Sequence, residues 1–184
     1  NIEAQDDGIN TNEDFVSVTT VNGGVLNINA GLGAEGDGID SNGYLVINGG
    51  EVWTAANERT PDGGIDADSP ILINGGTLYA FGTRNDAADS ASRQAYMELS
   101  FASTLPAGSL VTVQNQAEEL VLGAVLSKAC QSITLSCPEL KLDTSYRLYV
   151  DGVLQCYSGN GFGMGRPGGP RGMEPPEGFE PGRR

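Results

Sequence analysis

An all-β chain, built mainly as a right-handed parallel β-helix of about 26 residues per coil, is the fold class that this sequence predicts. Three observations carry the prediction. The tetrapeptides Val21-Asn22-Gly23-Gly24, Ile47-Asn48-Gly49-Gly50 and Ile73-Asn74-Gly75-Gly76 recur at a step of 26, twice. A second motif keeps that step, with Gly38-Ile39-Asp40 and Gly64-Ile65-Asp66 also 26 apart. Between the motifs lie apolar runs of three to five residues, β-branched or aromatic, separated by Gly, Asn and Asp. Helix pairs do not fit, because few positions recur at helical spacing and Gly interrupts every segment.

The elements follow in chain order. Gly8-Ile9-Asn10 is an earlier copy of the second motif and lies 30 residues before Gly38, so four extra residues fall around Thr11-Asn12-Glu13-Asp14. Val25-Leu26-Asn27-Ile28, Val52-Trp53-Thr54 and Leu78-Tyr79-Ala80-Phe81 read as strands after the Gly pairs. Leu45-Val46-Ile47 and Ile71-Leu72-Ile73 read as strands before them. Stacked coils sit roughly 4.8 Å apart, so residues one repeat apart become neighbours. Leu26, Val52 and Leu78 then form one inward column, Val21, Ile47 and Ile73 a second, and Ile9, Ile39 and Ile65 a third. Residues 1–94 are therefore expected to be β-helix repeats. Residues 95–157 change character. Met97–Phe101, Leu110–Val113, Leu120–Leu122, Ile133–Leu135 and Tyr146–Val150 read as antiparallel strands that continue or cap the helix. A solenoid needs such a cap, because its end exposes core and unpaired strand edges. Residues 158–184, rich in Gly, Pro, Met, Glu and Arg, cannot build a core and are expected to be disordered.

Composition excludes several functions. The chain has 184 residues and a formal net charge of −14, but residues 1–90 hold fifteen acids against two bases (Arg59 and Arg84). Residues 91–184 hold nine acids and eight bases. Segregated acidity points to a site, and it disfavours nucleic acid as a partner, which needs a basic face. The absence of His removes imidazole bases, His-based triads and most zinc or copper sites. Cys130, Cys137 and Cys156 allow at most one internal disulfide. No apolar run reaches transmembrane length. The chain opens inside a repeat, with neither Met nor a signal peptide, and reads as a fragment or processed product.

Aligning the units on their Gly-Ile pairs puts Asp7, Asp37 and Gly63 at one position, and Asn10, Asp40 and Asp66 three residues later. Asp6, Glu35, Asp62 and Asp68 lie close by. Two carboxylates about 5 Å apart repel by roughly 3 kcal/mol at an effective dielectric near 20. A hard dication relieves that repulsion. Calcium suits the set best, because it accepts 6–8 oxygens in irregular geometry. The alternative is turn chemistry, since Asp and Asn bond their own backbone. The metal candidates are Asp7, Asp37, Asp40 and Asp66, followed by Asn10, Asp62 and Asp6. A second column, Asn27, Trp53 and Tyr79, alternates with the inward residues and is expected to face solvent. Its aromatic ladder suits either sugar stacking or cross-strand packing. Arg59 and Arg84, in the loops after those strands, are further carbohydrate-binding candidates.

The stretches GDGIDSNGYLVINGGEVWTAA and GGIDADSPILINGGTLYAFG resemble a family of bacterial carbohydrate-binding β-helix proteins related in fold to pectate lyases. The later stretch from Pro106 to Gly152 is similar to the segment that closes that family's domain, and the Gly/Pro/Met-rich end is also similar to family members. The resemblance implies a secreted or surface-attached protein that binds calcium and plant cell-wall polysaccharide, either pectin-type polygalacturonate or cellulose, without cleavage. It implies calcium ligands from the DGID-type turns, here Asp7, Asp37, Asp40, Asn10 and Asp66, with Gly63 departing from the pattern. It also implies further coils upstream. Two other functions compete with this reading. One is a polysaccharide lyase with calcium and an Arg base, for which Arg59, Arg84 or Arg93 are the candidates, with a Lys as the other possible base. The other is a structural surface adhesin whose calcium only rigidifies the rod.

Overall fold

The computed structural model describes residues 1–157; the expectation of disorder for residues 158–184 falls outside them. Among the described residues there is no helix. The strands are β1 (Ile2–Glu3), β2 (Ile9–Thr11), β3 (Val18–Val21), β4 (Val25–Asn29), β5 (Ile39–Ser41), β6 (Tyr44–Ile47), β7 (Glu51–Ala55) and β8 (Ile65–Ala67). They continue with β9 (Ile71–Ile73), β10 (Thr77–Gly82), β11 (Tyr96–Leu105), β12 (Leu110–Gln114), β13 (Leu120–Val125), β14 (Cys130–Ser136), β15 (Arg147–Val150) and β16 (Val153–Tyr157).

Three coils of three strands stack in parallel. One wall is β2-β5-β8, the second is β3-β6-β9, and the third begins β1-β4-β7-β10. The register is the one that the repeats dictate. Leu26 lies beside Val52 and Val52 beside Leu78, Val21 beside Ile47 and Ile47 beside Ile73, Ile9 beside Ile39 and Ile39 beside Ile65. Val52, Leu78, Ile47, Ile73, Ile39 and Ile65 are fully buried in one continuous core. Each such side chain contributes about 1.5–3 kcal/mol by leaving water.

The INGG motif explains itself in three dimensions. Its asparagines form a ladder: Asn74 Nδ2 donates to Asn48 Oδ1, and Asn48 Nδ2 to Asn22 Oδ1, both at 2.9 Å. The second glycine of each pair takes a positive φ, 87° at Gly24, 92° at Gly50 and 87° at Gly76. A Cβ at Gly50 would lie 2.7 Å from the Gly24 carbonyl oxygen, so the turn admits only glycine if the coils are to stack. The extra residues of the first coil form an outward turn in which Phe15 is exposed and has a φ of 58°.

The chain leaves the parallel pattern at β11. Residues 85–94 first run over the third coil, where Asp86 N bonds Ile65 O at 3.0 Å and Gln94 N bonds Ile73 O at 3.0 Å. Strand β14 then pairs antiparallel with β10, and β11 pairs antiparallel with β14, closing the third wall. Strands β13-β12-β15-β16 form a separate antiparallel sheet. Its apolar face shares a core with Tyr79, Phe81, Met97, Ile133 and Leu135, so it covers the outer face of the third wall. Of the five strands expected after residue 95, all form, and β16 is an addition. Cys130 and Cys137 are both free and buried.

Lys128, in the turn between β13 and β14, fastens this sheet to the coils. Its ammonium donates to the stacked carbonyls of Ala30 and of Ala56, the latter at 3.1 Å. Desolvation at that position pulls its pKa down, and Glu58 beside it works the other way.

Candidate functional site

The acidic residues occupy the outer side of the β2-β5-β8 wall and the corner leading into it. Asn10, Asp40 and Asp66 are vertical neighbours by strand register. Asp86 extends the column, since Ala67 N donates to its carboxylate at 3.3 Å while its own amide bonds Ile65 O. Asp7 and Asp37 stack one coil apart at the corner. Asp37 N donates to Asp7 Oδ1 at 2.8 Å, and Gly63 N donates to Asp37 Oδ1 at 2.6 Å. Each carboxylate therefore caps the amide of the next coil, and Gly63 ends the series without a side chain. Asn10 Nδ2 also donates to the Asp7 carboxylate.

Burial and mutual repulsion raise the proton affinity of this column. Desolvation is the main cause at Asp37, whose pKa is raised to about 7; the Gly63 amide opposes it, and Asp66, Asp62 and Asp7 add repulsion. Asp66 is raised to about 6 by desolvation, then by Asp86, Asp40 and Asp68, with Arg84 opposing. Asp40 is raised by desolvation and by Asp7 and Asp68. These directions mark a set of acids that interact electrostatically across coils.

The remaining candidates divide between this site and the periphery. Asp62 lies at the corner, where its Oδ2 accepts from Gly36 N at 2.7 Å and Thr60 Oγ1 at 2.6 Å. Asp6 and Glu35 are exposed, and Asp6 contributes its backbone carbonyl to Gly31 N at 2.9 Å. Arg84 joins the acidic column through Asp66. Arg59 does not. It is exposed and donates through Nη2 to Gly33 O at 2.7 Å, which ties two turns together. Asp86 was missed because the repeat is shortened there: it follows Asp66 by 20 residues, out of step with the 26-residue spacing.

The donor chemistry of the column fits calcium: every group is an oxygen, most are acidic, and several are partly withdrawn from water. Among the described residues, however, no group of three or more acidic side chains closes on one point. Side chains would thus supply only part of a calcium coordination sphere. Backbone carbonyls, water or the oxygens of a ligand would supply the rest.

The aromatic column behaves differently from the expectation. Trp53 and Tyr79 do stack, with ring centroids 3.8 Å apart and planes 18° from parallel. Tyr79, however, is only 8% exposed and belongs to the core shared with the antiparallel sheet. Its position points out of the coil but not to solvent, because the β13-β12-β15-β16 sheet lies over it. Tyr79 is therefore a packing residue. Trp53 remains half-buried; its indole Nε1 donates to Glu51 Oε1 at 2.7 Å, and it borders an open groove.

A family model described as "Carbohydrate-binding domain-containing protein" matches residues 1–145. No curated protein and no solved structure matches the chain.

Proposed function

Starting from the fact that this chain belongs to the carbohydrate-binding domain-containing family, we propose that it holds plant cell-wall polysaccharide, without cutting it, through calcium bound along the acidic column. It binds carbohydrate as a member of that family; the calcium, the acidic glycan and a place at the bacterial cell surface are our reading. The observation that supports it is the register of Asp40 over Asp66, with Asp86 beyond. A column of acids at coil spacing is costly alone and favourable around a dication. Polygalacturonate is the glycan of choice, because its carboxylates complete a coordination sphere that the protein side chains leave open. In this arrangement the dication neutralises two repelling surfaces and binds both.

The test is retention of the protein on immobilised polygalacturonate with millimolar calcium and with excess chelator. Binding in calcium, release by chelator, and no ultraviolet-absorbing unsaturated product are expected. Equal retention under both conditions would remove calcium from the account. Appearance of unsaturated product would make the protein a lyase.

A further inference from the structure

A groove of about 390 Å³ runs along the outer face of the third wall, on the side away from the acidic column. That volume lies within the range of small-ligand sites, roughly 300–1,000 Å³. Its floor is Asn27, Asn29 and Trp53, Glu3 flanks it, and Val125 at the end of β13 and Ser127 in the turn that follows overhang it. Tyr79 covers one face of Trp53. The other face turns toward the level of Asn27, its neighbour in the coil beneath, where the shorter side chain leaves space. The Glu51 carboxylate holds the indole in place through Nε1. The side-chain oxygen of Asn29 is buried and accepts no hydrogen bond. A buried acceptor without a partner is uncommon in a folded protein.

We propose that this groove is a second carbohydrate subsite, independent of calcium, which takes an uncharged pyranose ring against the free face of Trp53. This rests on the family's carbohydrate binding and adds a location to it. An indole face and amide side chains make up the floor. Sugar rings present an apolar C–H face to the first and hydroxyl groups to the second. The lining holds no Lys or Arg, and its one charged side chain, Glu3, repels carboxylates. Uronates are therefore disfavoured here, and neutral hexose or pentose units are selected.

Trp53 is the only tryptophan of the chain, so its emission reports directly on the groove. The protein is titrated with neutral β-linked gluco- and xylo-oligosaccharides in excess chelator, following fluorescence and heat. A saturable emission change is expected. Val125→Arg, at a position 59% exposed, should weaken it at least tenfold, whereas Leu142→Arg, at a position 67% exposed and outside the groove, should not. The inference is overturned if neutral sugars at millimolar concentration change neither emission nor heat, or if Val125→Arg binds as tightly as the parent. Loss of polygalacturonate binding with the neutral-sugar response intact would sink the calcium reading alone.

Discussion

Replacing Asp37 by Asn isolates the electrostatic load on the acidic corner. The asparagine oxygen can still accept from Gly63 N, so the cap at 2.6 Å is retained while the charge goes. Burial disfavours the charge of the Asp37 carboxyl and is the main cause that raises its pKa from 3.8 to about 7 in the folded protein. The folded state therefore holds a proton that the unfolded chain has already released between those two values. Stability must fall as pH rises through that interval, and it returns as pH drops below about 4. The full displacement corresponds to a ceiling of about 4 kcal/mol. Asp37 keeps part of its surface in water, and screening reduces the usable figure to about 1–2 kcal/mol. For a domain of this size that is a melting-temperature difference of roughly 3–6 °C. The assay is thermal unfolding of parent and Asp37→Asn across pH 4 to 8 in excess chelator. The variant should melt higher at the alkaline end and match the parent at the acid end. Millimolar calcium should narrow the gap, by stabilising the parent alone. A difference that is flat across pH, or a variant less stable than the parent at the alkaline end, refutes the reasoning.

Two further substitutions probe how the groove and the coils are held. Tyr79→Ala opens a cavity in the core between the coils and the antiparallel sheet and should cost about 3–5 kcal/mol by chemical denaturation. It also removes the ring stacked on Trp53, so the tryptophan emission should shift to the red even in the folded variant. Gly38→Ala should prevent stacking of the second and third coils, because the new Cβ would lie 1.9 Å from Thr54 Oγ1 and 2.4 Å from Gly64 O. Loss of soluble, cooperatively melting protein is the expected result, and a variant that melts like the parent would show that the coils can move apart locally.

The repeat step made the three coils legible, because a constant interval places residues in columns before anything is known of their contacts. Asp40 and Asp66 fell into line for that reason, as did most of the buried Ile and Leu columns, whereas Asn10 and Ile9, at a step of 30, were placed by their Gly-Ile motif. Tyr79 departs only from its expected exposure to solvent, because alternation along a strand states which side of the wall a residue takes and nothing about what lies over that side. A signal was available. Leu78-Tyr79-Ala80-Phe81 is apolar on both sides, the pattern of a strand buried on both faces. The groove could not be read from the sequence at all: Trp53 and Val125 are 72 positions apart, and only the docking of the antiparallel sheet brings them together. The metal column is legible as a pattern of acids, yet the sequence gives no measure of how far each carboxylate is committed to capping the next coil's amides, as Asp7 and Asp37 are.

The antiparallel attachment of β14 to β10 gives the molecule a direction of growth. A parallel strand would have offered the next chain segment the same edge it received, and the rod could have lengthened without limit. A reversed strand breaks that template, so extra units can be accommodated only beneath the terminus. Duplication of one internal unit would lengthen the rod by one rung, add one rung of acid to the ruler and leave the stopper untouched. The length of the acid column could thus change in whole steps by genetic copying alone, with the antiparallel closure left as it is.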